Sequence, residues 1–476
     1  MKRTLLNIFY NAIYQIFLVL VPLVTVPYLS RNLGPSTYGI YSSVNNTIQF
    51  LMVFCSISVS YIGMRTVSRI RAKSTKEELG RAFWGLWYFQ ALASVIMIVA
   101  TIVIVYFAKV QYWNYILLMI PFMISAQLDI AWFFQGLQEF GKVVLRNTTV
   151  KLLSVGLIFM LVKNPSDLWK YMLIMSLSTL LGSFVFWINI KNYVGKPRPH
   201  FYKFKESAIA IVTLLIPQIA TQVYTSLDKP ILGWYQNSTQ VSFYDNSQRI
   251  SNMILGVITS ITLVMMPKMA AEGKEKQKVV LKKSLEVTVM LGCIFAVVVM
   301  INTKQFVPFF FGQQYIPMTN LMFWFTLTII IIPLGGVFAN QFALANQRDK
   351  EYALPVVIGA ICELILTYFL DKHYGATGAL IAILIVELVV CILRVWIVRD
   401  DYSFTYVFKD IPKYGGIALL CLVVGLILPN IIPSAFINMA VKSILIMVLY
   451  ALLMILFKLD LNKDIAFMIK KMLKRA

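Results

Sequence analysis

Histidine is nearly absent: His200 and His373 are the only two in 476 residues. Catalysis or zinc binding built on a histidine pair therefore finds no support. The five cysteines, Cys55, Cys293, Cys362, Cys391 and Cys421, all fall inside apolar runs without redox or metal spacing. Neither a disulfide framework nor a metal site is expected. Charge is scarce too: 13% of residues are Asp, Glu, Lys or Arg, about half the share of an ordinary soluble domain. There is no G-x-x-x-x-G-K-[ST] segment to cradle phosphates, and no polar stretch exceeds about 25 residues. A soluble catalytic or nucleotide-binding domain has no room. An enzyme is not expected, no catalytic residue and no cofactor are assigned, and any transport is not driven by the chain's own ATP hydrolysis.

What fills the chain is apolar sequence. With 59% hydrophobic residues it reads as all-α and polytopic. Runs near the 20 residues a spanning helix needs occur at 5–29, 38–63, 83–108, 115–135, 147–163, 169–190, 208–235, 242–266, 284–303, 316–340, 353–370, 377–398, 414–430 and 437–457, fourteen in all. The first follows Lys2 and Arg3 but is too long for a signal-peptide core and lacks a small-residue cleavage site, so it is expected to stay as a span. The net charge of +22 suits nucleic acid in a soluble protein. Here the basic residues lie between apolar runs, as the positive-inside rule requires, and no nucleic-acid partner is expected. With both termini cytoplasmic, about 33 Lys and Arg fall inside and 7 outside, leaving Lys229, Arg249 and Arg394 within spans.

A short internal echo links VPLVTVPYLS followed by STYGIYSSVNN with IPQIATQVYTS followed by STQVSFYDNSQ; Pro22 recurs as Pro217. Six spans separate the copies, so both enter the membrane in the same sense. The expected organisation is an N-terminal six-helix bundle (1–205), a second six-helix bundle (206–400) across a central cleft, and two trailing helices with a basic tail (401–476).

Polar residues are concentrated between Ile216 and Ser260. Gln218, Gln222, Thr225 and Lys229 recur at helical spacing, as do Ser242, Asp245, Arg249, Asn252 and Gly256. Each set is expected on one helix face, turned from lipid because a charge at the bilayer centre costs about 2.5–3.5 kcal/mol. Two readings stay open. Lys229 and Arg249, flanked by Asp228 and Asp245, can line a polar pathway. Alternatively Asp245 and Arg249 pair as i and i+4 within a structural network. Asp228 and Lys229, adjacent and about 100° apart on a helix, are not expected to pair with each other. Asn7, Asn11 and Gln15 form another polar face in the first span, and Asn45 and Gln49 in the second; amides there suit sugars or glue helices. Tyr14, Tyr28, Tyr41, Tyr224 and Tyr244 can stack on sugar rings or mark the interface. Asp129 and Glu363 have no partner within their own helices, so either can carry a coupling proton or cation.

The segments VPYLSRNLGPSTYGIYS (26–42), DIAWFFQGLQEFGKVVLRN (129–147), LDKPILGWYQNSTQVSFYDNSQRI (227–250), VITSITLVMMPKM (257–269) and YGATGALIAILIVE (374–387) resemble the polysaccharide-transporter family of the multidrug/oligosaccharidyl-lipid/polysaccharide exporter superfamily. These are Wzx-type flippases. The resemblance implies fourteen helices in the bacterial cytoplasmic membrane moving undecaprenyl-pyrophosphate-linked oligosaccharide, of capsule, exopolysaccharide, O-antigen or teichoic acid type, between leaflets. It also implies membrane lipids as surroundings, with a polysaccharide polymerase and glycosyltransferases of the same pathway as partners. A pyrophosphate asks for cations and a sugar chain for amides, which points to Lys229 and Arg249 with Asp228, Asp245, Gln218, Gln222, Asn252, Gln15, Asn45 and Gln49. A cation-coupled drug exporter of the same superfamily would want an acidic cavity, whereas this hairpin mixes both signs. A peptidoglycan-precursor flippase shares the pyrophosphate but not these motifs.

Overall fold

A computed structural model describes residues 2–71, 76–188, 190–197, 204–459 and 461. Among the described residues there is no strand, and the all-α expectation holds. Contacts divide the chain into two compact units, Met1–Ser242 and Phe243–Ala476. The seventh expected span therefore groups with the first unit, and the residues after 400 group with the second.

The first unit contains α1 (Lys2–Ser56), α2 (Val59–Arg71), α3 (Lys76–Ala108), α4 (Trp113–Leu118), α5 (Ile120–Leu128), α6 (Ala131–Gly136), α7 (Phe140–Leu161), α8 (Leu168–Val185), α9 (Phe204–Gln222) and α10 (Asp228–Tyr235). Helix α11 (Ser238–Ala271) starts at its end and runs into the second unit. That unit continues with α12 (Lys274–Phe310), α13 (Thr319–Phe325), α14 (Thr328–Gly336), α15 (Asp349–Tyr374), α16 (Ala376–Ile397), α17 (Phe404–Val407), α18 (Ile411–Ile427) and α19 (Ala435–Leu456). Among the described residues ten helices are long and apolar enough to cross a membrane, or up to twelve if each of two bent pairs is one span. Fourteen is not reached among the described residues.

The breaks follow local chemistry. Within α1 the backbone leaves the helical region at Gly34, where φ is 72°. Glycine tolerates that value, and Pro35 next to it has no N–H to carry the helix across. The break separates the first two expected spans. The second of them bends by 40° at Ile57 and Ser58, both with positive φ, before α2.

Each unit has its own apolar interior. In the first, Phe83, Trp132, Phe133, Phe134 and Phe186 form an aromatic cluster, while Tyr38, Tyr41 and Tyr171 pack with Leu29 and Met123 in another. In the second, α12 is the central element: Leu281, Leu285 and Cys293 meet Phe338, Tyr414, Cys421 and Tyr450. The two helices expected to trail are thus packed into that core. Lys282, buried on α12, adds a polar tie, 3.4 Å from Glu286 and 3.7 Å from Asp410, which also pairs with Lys413 at 2.6 Å.

One crossing fixes how α1 meets the start of α11. A Cβ on Gly39 would lie 1.7 Å from the Ser238 carbonyl oxygen, and beside it the Ser36 and Ser238 hydroxyls are 3.2 Å apart. The obstacle is backbone, which cannot swing aside. Gly39→Ala is expected to cost about 2 kcal/mol or more, toward the upper end for overpacking. The thermal midpoint of the purified protein in detergent should fall by several degrees; an unchanged midpoint would show that the crossing can relax.

Candidate functional site

The hairpin between Ile216 and Ser260 is built around an irregularity. Between α9 and α10, Val223–Leu227 forms a π-turn, and the two helices bend by 42°. In an i→i+5 register the Thr225 carbonyl would look to residue 230, but Pro230 has no N–H. Lys229 Nζ donates to that carbonyl instead, at 2.9 Å. The same Nζ lies 2.9 Å from Asp228 Oδ1, which also accepts the Lys229 backbone N–H at 2.9 Å. Asp228 and Lys229 are 1% and 2% exposed.

This corrects two expectations. The adjacent pair does interact, because the Asp228 carboxylate folds onto the following N–H and the lysine stem reaches back to meet it. Nor do the polar residues of the first helix share one face. Gln218 and Gln222 are half-buried, Thr225 is exposed and Lys229 is enclosed, since the π-turn shifts the rotation between them. Gln222 Nε2 donates to Ser226 Oγ at 2.6 Å, across that turn.

Along α11 the burial of the corresponding residues falls off step by step. Ser242 is fully buried and Asp245 nearly so, the Arg249 side chain is 33% exposed, and Asn252 and Gly256 lie open. Arg249 Nη2 is 3.2 Å from Asp245 Oδ2, the i,i+4 pairing anticipated from spacing. A carboxylate thus holds one edge of the guanidinium while the side chain keeps accessible surface. A planar fork in that position can donate to two oxygens of a phosphate.

The remaining candidates fall elsewhere. Asn45 and Gln49 are half-buried on the second part of α1. The side chain of Gln15, with those of Asn7, Asn11, Tyr14 and Tyr224, lies outside the described residues. Asp129 is not partnerless: its Oδ1 accepts the Ala131 N–H at 2.9 Å, turning the chain from α5 into α6. Glu363 is 1% exposed, on the buried face of α15 with Thr367 and Asp371 at successive steps of four. Tyr41 packs on Tyr38 and Tyr171, Tyr28 bonds the Val162 carbonyl at 2.8 Å, and Tyr244 stacks edge-on to Phe325. Tyr41 and Tyr244 are buried in the core, and Tyr28 packs half-buried against it.

Two features were hidden in the sequence. Lys282 and Asp410 are 128 positions apart and meet only in the folded unit. Arg146 sits 4.8 Å over the Phe186 ring and donates to Ser183 Oγ at 2.8 Å, although by spacing it was one more basic loop residue. Among the described residues no group of three or more His, Cys, Asp or Glu could hold a metal ion.

A family model described as polysaccharide biosynthesis protein matches residues 4–272. Two curated relatives, one from Escherichia coli (strain K12) and one from Shigella dysenteriae, both carry the name "Putative O-antigen transporter". The first is 22% identical over 406 residues, covering 83% of this chain and 96% of that protein. The second is 21% identical over 415 residues, covering 84% and 100%. Among solved structures, the lipid II flippase MurJ in an inward closed conformation superposes with a TM-score of 0.76 at 12% identity, covering 96% of this chain and all of that one. An inward-facing multidrug resistance MATE transporter gives 0.57 at 13% identity, covering 85% and 99%. At such identities the structures share the fold.

The enclosed Asp228–Lys229 pair makes a prediction of its own. Removing one partner strands a buried charge, at a cost of about 3–5 kcal/mol, whereas neutralising both is far milder. Asp228→Asn and Lys229→Gln singly should sharply lower the amount of folded protein in membranes, and the double variant should recover most of it. A double variant no better than either single one would show that the charges do not stabilise each other.

Proposed function

The chain belongs to the polysaccharide biosynthesis protein family, and on that premise we propose that it is a flippase. It carries undecaprenyl-pyrophosphate-linked oligosaccharide units, of capsule, exopolysaccharide, O-antigen or teichoic acid type, across the bacterial cytoplasmic membrane by alternating access. Both termini are cytoplasmic in this reading, and the glycosyltransferases and polymerase of the same pathway act before and after it.

The observation that carries the reading is Arg249. It lies within α11, a helix whose later turns are almost wholly apolar, yet keeps a third of its side chain accessible while Asp245 steadies it. A cation so placed can neutralise a pyrophosphate during passage, and Asn252, one turn on and exposed, offers an amide to the sugars. Lys229, enclosed by Asp228 and Thr225, has a positioning role: it holds the bend that presents the hairpin. Gln218, Gln222, Asn45 and Gln49, half-buried, belong to the sugar-facing set.

A cation-coupled drug exporter is the rival from the same superfamily. It asks for an acidic site, whereas the open face of α11 pairs its acid with arginine. A flippase for peptidoglycan precursor needs the same pyrophosphate chemistry and differs only in the sugars. Glu363 is the proposed sensor of the driving gradient, with Asp129 left to its turn.

The test is complementation of a gene deletion. In the deleted strain, lipid-linked units should pile up in the inner leaflet, and the wild-type chain should clear them. Arg249→Ala, at matched membrane levels, should reduce export about tenfold or more, the value of one charge-assisted phosphate contact. Normal surface polymer in that variant would remove Arg249 from the mechanism, and drug sensitivity without any polymer defect would favour the exporter. Glu363→Gln should flatten the dependence of flipping on an imposed proton or sodium gradient in proteoliposomes; an unaltered dependence would discard Glu363.

A further inference from the structure

Helices α7 and α8 leave a groove of about 560 Å³ on the first unit, within the 300–1,000 Å³ range of small-ligand sites. Its trough is apolar and open: Leu145, Leu153 and Leu181 expose 70%, 62% and 65% of their surface. Its head is cationic. Arg146 lies on the Phe186 ring and bonds Ser183, while Lys142 lies 5.7 Å over Phe134 and 4.9 Å over Tyr193 and pairs with Glu139 at 2.7 Å. Gly182 makes the seat: a Cβ there would stand 3.0 Å from Arg146 Nε and 2.7 Å from Val150. An apolar trough with two cations at one end has the polarity of a lipid.

We propose that this groove binds one anionic phospholipid, its phosphate at Lys142 and Arg146 and one acyl chain along the trough. Length agrees. Arg146 and Leu157 are eleven residues apart on α7, about 16 Å at 1.5 Å per residue, and one leaflet is about 15 Å deep. Charge agrees as well. Lys142 and Arg146 less Glu139 leave one net positive charge, the complement of a phosphodiester. A pyrophosphate carries more, and a long isoprenoid tail would overrun the trough. The site therefore takes a bilayer lipid rather than the transported one, and it does not depend on the function proposed above.

The full-length protein in detergent, analysed by native mass spectrometry with added lipid, tests this. One phosphatidylglycerol should be retained at least tenfold more strongly than phosphatidylcholine, and glycerol 3-phosphate alone should not compete. Lys142→Gln/Arg146→Gln should erase the preference. Leu153→Trp, at a surface position that filling would block, should weaken retention of both lipids. Should the double variant fail to fold, Lys142→Gln alone, half exposed in the native chain, should still cut the preference severalfold. Equal retention of the two phospholipids, a preference surviving in the folded variants, or displacement of phosphatidylglycerol by undecaprenyl pyrophosphate would each overturn the assignment.

Discussion

An ionised side chain inside a bilayer needs its counter-charge built in or a surface open to water, and this protein is arranged around that requirement. Insertion of one such charge costs about 2.5–3.5 kcal/mol, against a total stability of about 5–15 kcal/mol for an ordinary domain. Two arrangements meet it within the expected spans, and a third lies at their edge, where Lys282, Asp410 and Lys413 belong to the segments between spans. Asp228 and Lys229 are sealed together. Asp245 and Arg249 are paired at the edge of an open face. Lys282, Glu286, Asp410 and Lys413 form a chain of contacts binding α12 to the start of α18. In the first both charges are buried, and in the third Lys282, Glu286 and Asp410 are buried while Lys413 keeps about half of its side chain exposed.

The helix irregularities belong to the same account. In a regular helix the Thr225 carbonyl would take the Lys229 backbone N–H, and the Ser226 carbonyl would face Pro230, which has no N–H to give. The π-turn puts the Thr225 carbonyl within reach of Nζ, so one side chain completes both the backbone and the ion pair. Aromatic faces serve the cations nearer the helix ends, where Arg146, Lys282 and Arg399 lie over Phe186, Tyr406 and Trp396. A cation over a ring is partly desolvated without a full counter-ion.

Much of this was legible in the chain because its physics is local. Apolar runs announce helices by length, and the Asp245–Arg249 pair follows from a spacing of four. The partnership of Asp228 and Lys229 was not legible, because regular geometry separates neighbours and only the π-turn and Pro230 change that. Nor could spacing show that Asp129 serves a backbone N–H, that Tyr41 stacks on a tyrosine 130 positions away, or that Arg146 has a ring beneath it. Each depends on which helices become neighbours. Hydropathy alone is blind to neighbours, since the spanning helices are apolar over most of their circumference.

Accessible surface separates the two roles that an intramembrane charge can have. A purely structural pair gains from exclusion of every competing group, and Lys229 at 2% exposure meets that condition. A transport residue must exchange its partner for a passing ligand, so it has to be held without being saturated. Arg249 meets this second condition: its aspartate lies one turn back, at 3.2 Å, and the face beyond it opens toward Asn252 and Gly256. In the first unit Arg146 and Lys142 rest on rings beside an apolar trough, and half of the Lys142 side chain is exposed. The enclosed Asp228–Lys229 pair holds the bend of its helix, while Arg249 keeps a third of its side chain accessible beside its aspartate.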